Sequence, residues 1–141
     1  EIGDNVIVSG EVIFVTHDGG VYLFINEDNN LFGHFGRIKI GNNCFIGMGA
    51  IILPNVEIGN NCIIGAGAVV LDSIPDNSVA VGNPAKVIFK TDMYRRMRLS
   101  SKSTLRDERY AFPHHGQMPK EQKRDRLLRE VYPLPIRKPR K

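Results

Sequence analysis

An aliphatic residue returns at every sixth position between residues 40 and 70: Ile40, Ile46, Ile52, Ile58, Ile64 and Val70. Four residues after each stands a small or modest side chain: Cys44, Ala50, Val56, Cys62, Ala68 and Ile74. Ile2, Val8 and Phe14 carry the same beat upstream, with Val6 and Val12 at its fifth place. Residues six apart fall on different faces of a 3.6-residue helix, so an amphipathic helix does not explain the pattern. A longer period of eighteen is visible as well. Gly41-Asn42-Asn43-Cys44 is answered by Gly59-Asn60-Asn61-Cys62, and Ile46-Gly47-Met48-Gly49-Ala50 by Ile64-Gly65-Ala66-Gly67-Ala68. Three hexads per turn imply a three-sided coil whose equivalent residues stack one strand spacing apart, ~4.8 Å. The β-branched residue points inward, and Gly and Asn tolerate the backbone angles of the corners. The expected fold class is an all-β, parallel β-solenoid.

The beat is in phase from Ile2 to about Asp18 and again from about Ile38. Between them, residues 19–37 open with Gly19-Gly20, hold several aromatics and keep no hexad; a loop thrown out from one corner is expected, and long insertions of this kind tend to be functional. After Asp72 the repeat ends, and Val81-Gly82-Asn83-Pro84-Ala85-Lys86 leads out of it. The division expected is a solenoid domain over 1–90 and a basic, helical extension over 91–141. That extension would hold a short helix from Asp92 to about Leu99, capped by Thr91 or Asp92, and a second from Lys120 to Val131. Of the 19 Lys and Arg residues, only Arg37 and Lys39 precede Lys86. The acidic Asp92, Asp107, Glu108, Glu121, Asp125 and Glu130 dilute that field, so a solvated surface explains most of these charges. Without interleaved aromatics in a recognisable binding fold, nucleic acid is not an expected partner.

His17 stands where the regular coil gives way to the loop. Its residue type suits a general base near neutral pH, and a surface loop histidine is the alternative. Asp18 is either a substrate contact or a solvated carboxylate. His34, near the far end of the loop, could approach His17 or substrate. Cys44 and Cys62 lie eighteen apart at inward places and are expected to stack as core thiols, without a disulfide. The histidines His17, His34, His114 and His115 give no His-x4-His pair, so no metal is expected.

The hexads, the Thr16-His17 pair before an inserted loop, and the Gly82-Asn83-Pro84-Ala85 turn together resemble the hexapeptide-repeat acyltransferases. The resemblance covers Ile2 to about Lys90, and its sugar- and polysaccharide-acetylating branch looks nearest. It implies a left-handed β-helix, where ordinary parallel crossovers run right-handed. It implies acetyl-CoA as acyl donor, a saccharide acceptor, and direct O-acetyl transfer with His17 as the base. The backbone N–H of Met48 would hold the oxyanion. Gly65 and Ala66 would border the pantetheine, although corners want glycine in any case. Gly82, Asn83 and Pro84 would pack near the nucleotide end, with Lys86 and Lys90 meeting phosphates or solvent. A homotrimer with active sites between subunits is implied too.

N-acetylation of an amino sugar, free or nucleotide-linked, needs the same base, and antibiotic acetylation shares the Thr-His-loop arrangement. A non-catalytic solenoid scaffold is the reading from a different class. The longest apolar runs are far too short to span a bilayer, and no charged n-region with an apolar h-region opens the chain. The expected location is cytoplasmic. Glu1 in place of Met reads as a missing or trimmed start.

Overall fold

Each hexad yields a strand of two residues, and its other four residues turn the chain through a corner. This arrangement is seen in a computed structural model that describes residues 1–24 and 33–101. The chain begins with β1 (Ile7–Val8), β2 (Ile13–Phe14) and β3 (His17–Asp18), followed by a 3-10 helix over Gly20–Phe24 and β4 (His34–Phe35). It continues through β5 (Lys39–Ile40), β6 (Phe45–Ile46), β7 (Ile51–Ile52), β8 (Glu57–Ile58), β9 (Ile63–Ile64) and β10 (Val69–Val70). β5 pairs in parallel with β8, β6 with β9 and β7 with β10, each at an offset of eighteen residues. These three pairings define three faces and place one coil on the next. β1 pairs with β6, β2 with β7, and Ile2 bridges Ile40, all parallel and at an offset of 38. That offset exceeds the coil period of eighteen by twenty residues, the length inserted between β2 and β5.

The coil continues further than the hexad beat. Ile74 bridges Ile58, and β11 (Ser78–Val81) pairs in parallel with β9, with Val79 opposite Ile63. The offset has fallen to sixteen, so the corner after Val70 is two residues short and the beat is lost although the stacking is not. The hexad repeat ends after Asp72 as expected, and the stacking goes on within the domain expected over 1–90. β12 (Lys86–Lys90) then folds back antiparallel on β11.

Ile40, Ile46, Ile52, Ile58, Ile64 and Val70 are all buried, as are Cys44, Ala50, Val56, Cys62 and Ala68 between them and Ile74 after them. The first coil departs from this. Ile2, Val8 and Phe14 are 57%, 41% and 37% exposed, while Ile40 beneath Ile2 is 1% exposed. A coil interior is covered only when a neighbour lies on each side, and the first coil has one neighbour among the described residues.

Two kinds of corner residue differ in what they supply. Asn5, Asn43, Asn61 and Asn77 all lie in the left-handed region, at φ 55 to 57. Their side chains form a ladder, Asn5 Nδ2 to Asn43 Oδ1 at 2.9 Å, Asn43 to Asn61 at 3.3 Å and Asn61 to Asn77 at 3.0 Å. The glycines after Ile40, Ile46, Ile58 and Ile64 are needed for space, not for a backbone angle. A Cβ at Gly47 would lie 2.5 Å from the Ala66 nitrogen, and one at Gly65 would lie 2.7 Å from Val81 Cγ1. The corner angles expected of Gly and Asn fall to the asparagines and to Gly49 and Gly67, both at φ 66.

Cys44 and Cys62 are buried and unbridged. Cys44 Sγ donates to the Gly59 carbonyl at 3.1 Å, and Cys62 Sγ to that of Pro75 at 3.2 Å. Burial pushes both thiols above their ordinary range. Their ionisation is therefore easier in the unfolded chain. The neutral thiols favour the fold fully below the free-thiol pKa of ~8.5, and that contribution is lost as pH climbs beyond it. Native protein is expected to leave both thiols unreacted with a thiol-exchange dye at pH 8, and denatured protein to titrate two.

The chain divides into two compact units, Glu1–Arg95 and Arg96–Lys141. Helix α1 covers Thr91–Leu99. Thr91 is its first residue, and its hydroxyl donates to the Asn61 carbonyl at 3.1 Å instead of capping the helix as expected. The expected helix over 120–131 lies outside the described residues, as do His114 and His115.

Candidate active site

The corner between the third face and the next turn of the first face is built differently in successive coils. In the second coil it is Leu53-Pro54-Asn55-Val56, a plain four-residue corner. In the first coil the chain leaves after Thr16, and the Gly36 N–H returns to the Thr16 carbonyl at 2.8 Å. Between these points β3 and β4 form a two-residue antiparallel ladder, with His17 opposite Phe35 and Asp18 opposite His34. Directly opposed residues share a side of such a ladder, and neighbours along a strand point to opposite sides. His17 therefore keeps company with Phe35, their ring centroids 6.1 Å apart. His34 lies with Asp18 on the other side, so its expected approach to His17 is not seen.

His17 is exposed, and its imidazole has no hydrogen-bond partner among the described residues. It is anchored by backbone on one side and an aromatic ring on the other, with its nitrogens open to a ligand. Asp18 shapes the loop, because its Oδ1 accepts the Gly20 N–H at 2.8 Å and closes the turn into the 3-10 helix. An open groove of about 410 Å³, lined by Thr16, Phe35, Gly36, Arg37 and Asn55, lies at the base of the ladder. It reaches Phe35 and stops short of His17. Phe35 is the neighbour that spacing does not reveal; the aromatics of the insertion are the only signal for it.

Met48 occupies the corner between the second and third faces. Gly47-Met48-Gly49-Ala50 is a tight turn closed by the Ala50 N–H on the Gly47 carbonyl at 3.2 Å, with the positive φ at Gly49 that a type II turn requires. The Met48 carbonyl accepts from Gly67 N–H at 2.8 Å, and the Gly49 N–H donates to Gly10 at 3.1 Å. The N–H of Met48 has no partner among the described residues and is free to donate to a developing oxyanion. Gly65-Ala66-Gly67-Ala68 repeats this turn one coil on, closed by Ala68 on Gly65 at 3.2 Å. Ala68 is core, so only Gly65, Ala66 and Gly67 border the corner.

Gly82, at φ 100, Asn83 and Pro84 form the next layer above that corner, with a cis Asn83–Pro84 peptide. The Gly82 carbonyl accepts from Val69 N–H at 3.0 Å, and Ala85 N–H donates back to Val69 at 2.8 Å. The turn thus takes the place of a further strand on the third face. Lys86 is 3.8 Å from Asp72 in an exposed pair, and Lys90 is exposed at the end of β12. Met48, Gly65, Ala66 and the Gly82 turn stack along one corner. His17 stands at a different corner, so a single chain does not bring the two together. No group of three or more His, Cys, Asp or Glu able to hold a metal ion occurs among the described residues. No described helix is long and apolar enough to cross a membrane.

Residues 37–72 match the family described as bacterial transferase hexapeptide, six repeats. These residues carry the repeat of the hexapeptide transferases. Among its relatives, Protein CapG of Staphylococcus aureus is 52% identical over 94 residues, which are 67% of this chain and 54% of that protein. A galactoside acetyltransferase solved in complex with coenzyme A aligns with a TM-score of 0.61 at 37% identity, covering 76% of this chain and 52% of the other. A maltose O-acetyltransferase from Clostridium difficile 630 aligns at 0.50 and 33% identity, covering 63% and 57%. This hexapeptide-repeat chain spans about half the length of the relatives it matches. Its β-helix fold is the one shared with these acetyltransferases.

Proposed function

We propose that this chain is the β-helix part of an acetyl-CoA-dependent O-acetyltransferase acting on a sugar or polysaccharide precursor. The observation that carries the reading is the pair of unspent polar groups at two corners, the open imidazole of His17 and the free N–H of Met48. His17 takes the proton of an acceptor hydroxyl as its oxygen attacks the thioester carbonyl, the Met48 N–H receives the oxyanion, and coenzyme A leaves as its thiol. General-base assistance supplies ~10²–10⁴-fold, and one oxyanion donor ~3–4 kcal/mol. Because the two groups stand at different corners, His17 of one subunit serves Met48 of a neighbour in a homotrimer; the family resemblance adds a left-handed winding of the coils. Gly65, Ala66, Gly82, Asn83, Pro84, Lys86 and Lys90 border the donor, and Asp18 holds the loop that meets the acceptor. The galactoside acetyltransferase solved with coenzyme A supports the donor, and the maltose O-acetyltransferase supports the acceptor class.

Coenzyme A release from acetyl-CoA, followed against sugars, amino sugars and nucleotide sugars, tests the reading. Acceptor-dependent release is the expected result, and an amine acceptor outpacing every hydroxyl acceptor would replace O- by N-transfer. A trimer that neither binds coenzyme A nor releases it from the thioester would point to a scaffold instead.

A further inference from the structure

Six non-glycine residues among those described have backbones in the left-handed region: Asn5, Glu11, Asn43, Asn55, Asn61 and Asn77. Five are asparagine, which visits this region more readily than other residues. Glu11, at φ 60, is the exception. It occupies the turn place filled by Gly49 and Gly67 in the next two coils, both at φ 66, and the Gly49 N–H on the Gly10 carbonyl fixes the register. A Cβ at Gly49 or Gly67 would meet nothing within 4 Å, so the corner is open where Glu11 projects. Glu11 is exposed, and its carboxylate has no hydrogen bond or ion pair among the described residues. Nothing among those residues offsets the backbone cost of keeping glutamate where glycine fits without strain. A locally unfavourable residue held without a compensating contact points to function.

We infer that Glu11 binds the saccharide acceptor and that the acceptor group it meets is neutral or cationic. This rests on the proposed transfer between His17 of one subunit and Met48 of its neighbour. Along the Met48 corner, the donor segment runs through Ala66 to the Gly82 turn, toward later coils. Glu11 stands on the same corner one coil to the opposite side, in the coil that also carries His17. The acceptor oxygen must lie between the neighbour's His17 and the thioester carbon, on the side away from the donor tail, and that space faces Glu11. A carboxylate there accepts hydrogen bonds from two sugar hydroxyls or one ammonium, and repels a uronate or phosphate.

Glu11→Gln and Glu11→Gly in the full chain, assayed with acetyl-CoA and methyl galactoside, glucosamine or glucuronic acid, test this. The expected result is a fall of about 10–100-fold in kcat/KM for methyl galactoside and glucosamine in both variants, the scale of a charge-assisted bond. The KM for acetyl-CoA should stay within about twofold, and glucuronic acid should gain on the other two in Glu11→Gln. Glu11→Gly should also raise Tm by about 2–5 °C as the strain is relieved. Acceptor kcat/KM unchanged in both variants overturns the inference and leaves the transfer reading standing. A lowered Tm with equal losses toward acceptor and donor marks a folding effect and overturns it as well. No acceptor-dependent release by wild type would overturn the transfer reading, and the inference with it.

Discussion

His17→Ala is expected to lower kcat by about 10²–10⁴-fold while leaving the fold intact. The imidazole is exposed and its one ring contact among the described residues is to Phe35, so its removal opens no cavity among them. Thermal unfolding of the variant should therefore lie close to wild type, and acetyl-CoA binding should persist because the donor corner is elsewhere on the chain. The measurement is single-turnover release of coenzyme A in the presence of acceptor, with Tm measured on the same preparation. His17→Gln, which keeps hydrogen bonding without a useful proton affinity, should be nearly as slow. Turnover unchanged in both would remove His17 from the mechanism, whereas a matching collapse of Tm would mean that the ladder between His17 and Phe35 holds the loop in place.

The largest effect on stability is expected at the middle of the stack. Ile64 is fully buried, and its strand is paired on both sides, with β6 below and β11 above. Ile64→Ala should cost about 2–5 kcal/mol, because an interior held by two neighbouring coils cannot collapse into the space. Tm should fall by about 10 °C or more. Val8 occupies the equivalent place on the same face in the first coil, yet it is 41% exposed. Val8→Ala should cost about 1 kcal/mol or less, since little of the side chain leaves a dry environment. Urea titrations of the two variants give the comparison, and equal costs would contradict a stack in which each coil depends on its nearest neighbours.

The inward positions are legible because a six-residue spacing admits one arrangement in which all those aliphatics are dry. Ile40 through Val70 accordingly fall on three faces at the expected offset. What periodicity does not carry is the shortening of the corner after Val70. Two residues vanish from Leu71-Asp72-Ser73, the beat stops, and the coil goes on through Ile74 and Val79, because pairing depends on backbone position and not on sequence spacing. The same limit applies at the insertion. His17 stands out as a residue type at a break in phase, but its partnership with Phe35 arises from a cross-strand register that the chain between them does not encode as a pattern. Cys44 and Cys62 are readable as core thiols for the opposite reason: they share the period of the isoleucines around them. Glu11 escapes such a reading because the beat singles out inward places, and its corner place is marked only by comparison with Gly49 and Gly67.

The twenty extra residues enter and leave the coil at one corner, and the offsets of 38 at Ile2, Ile7 and Ile13 agree with one another on all three faces. Stacking is therefore indifferent to how long that detour is, provided Thr16 and Gly36 meet at its base. In evolutionary terms the insertion is a cassette: its length and content can be exchanged between descendants while the scaffold that carries them keeps its register, so diversification of what is recognised need not await any change in the coil.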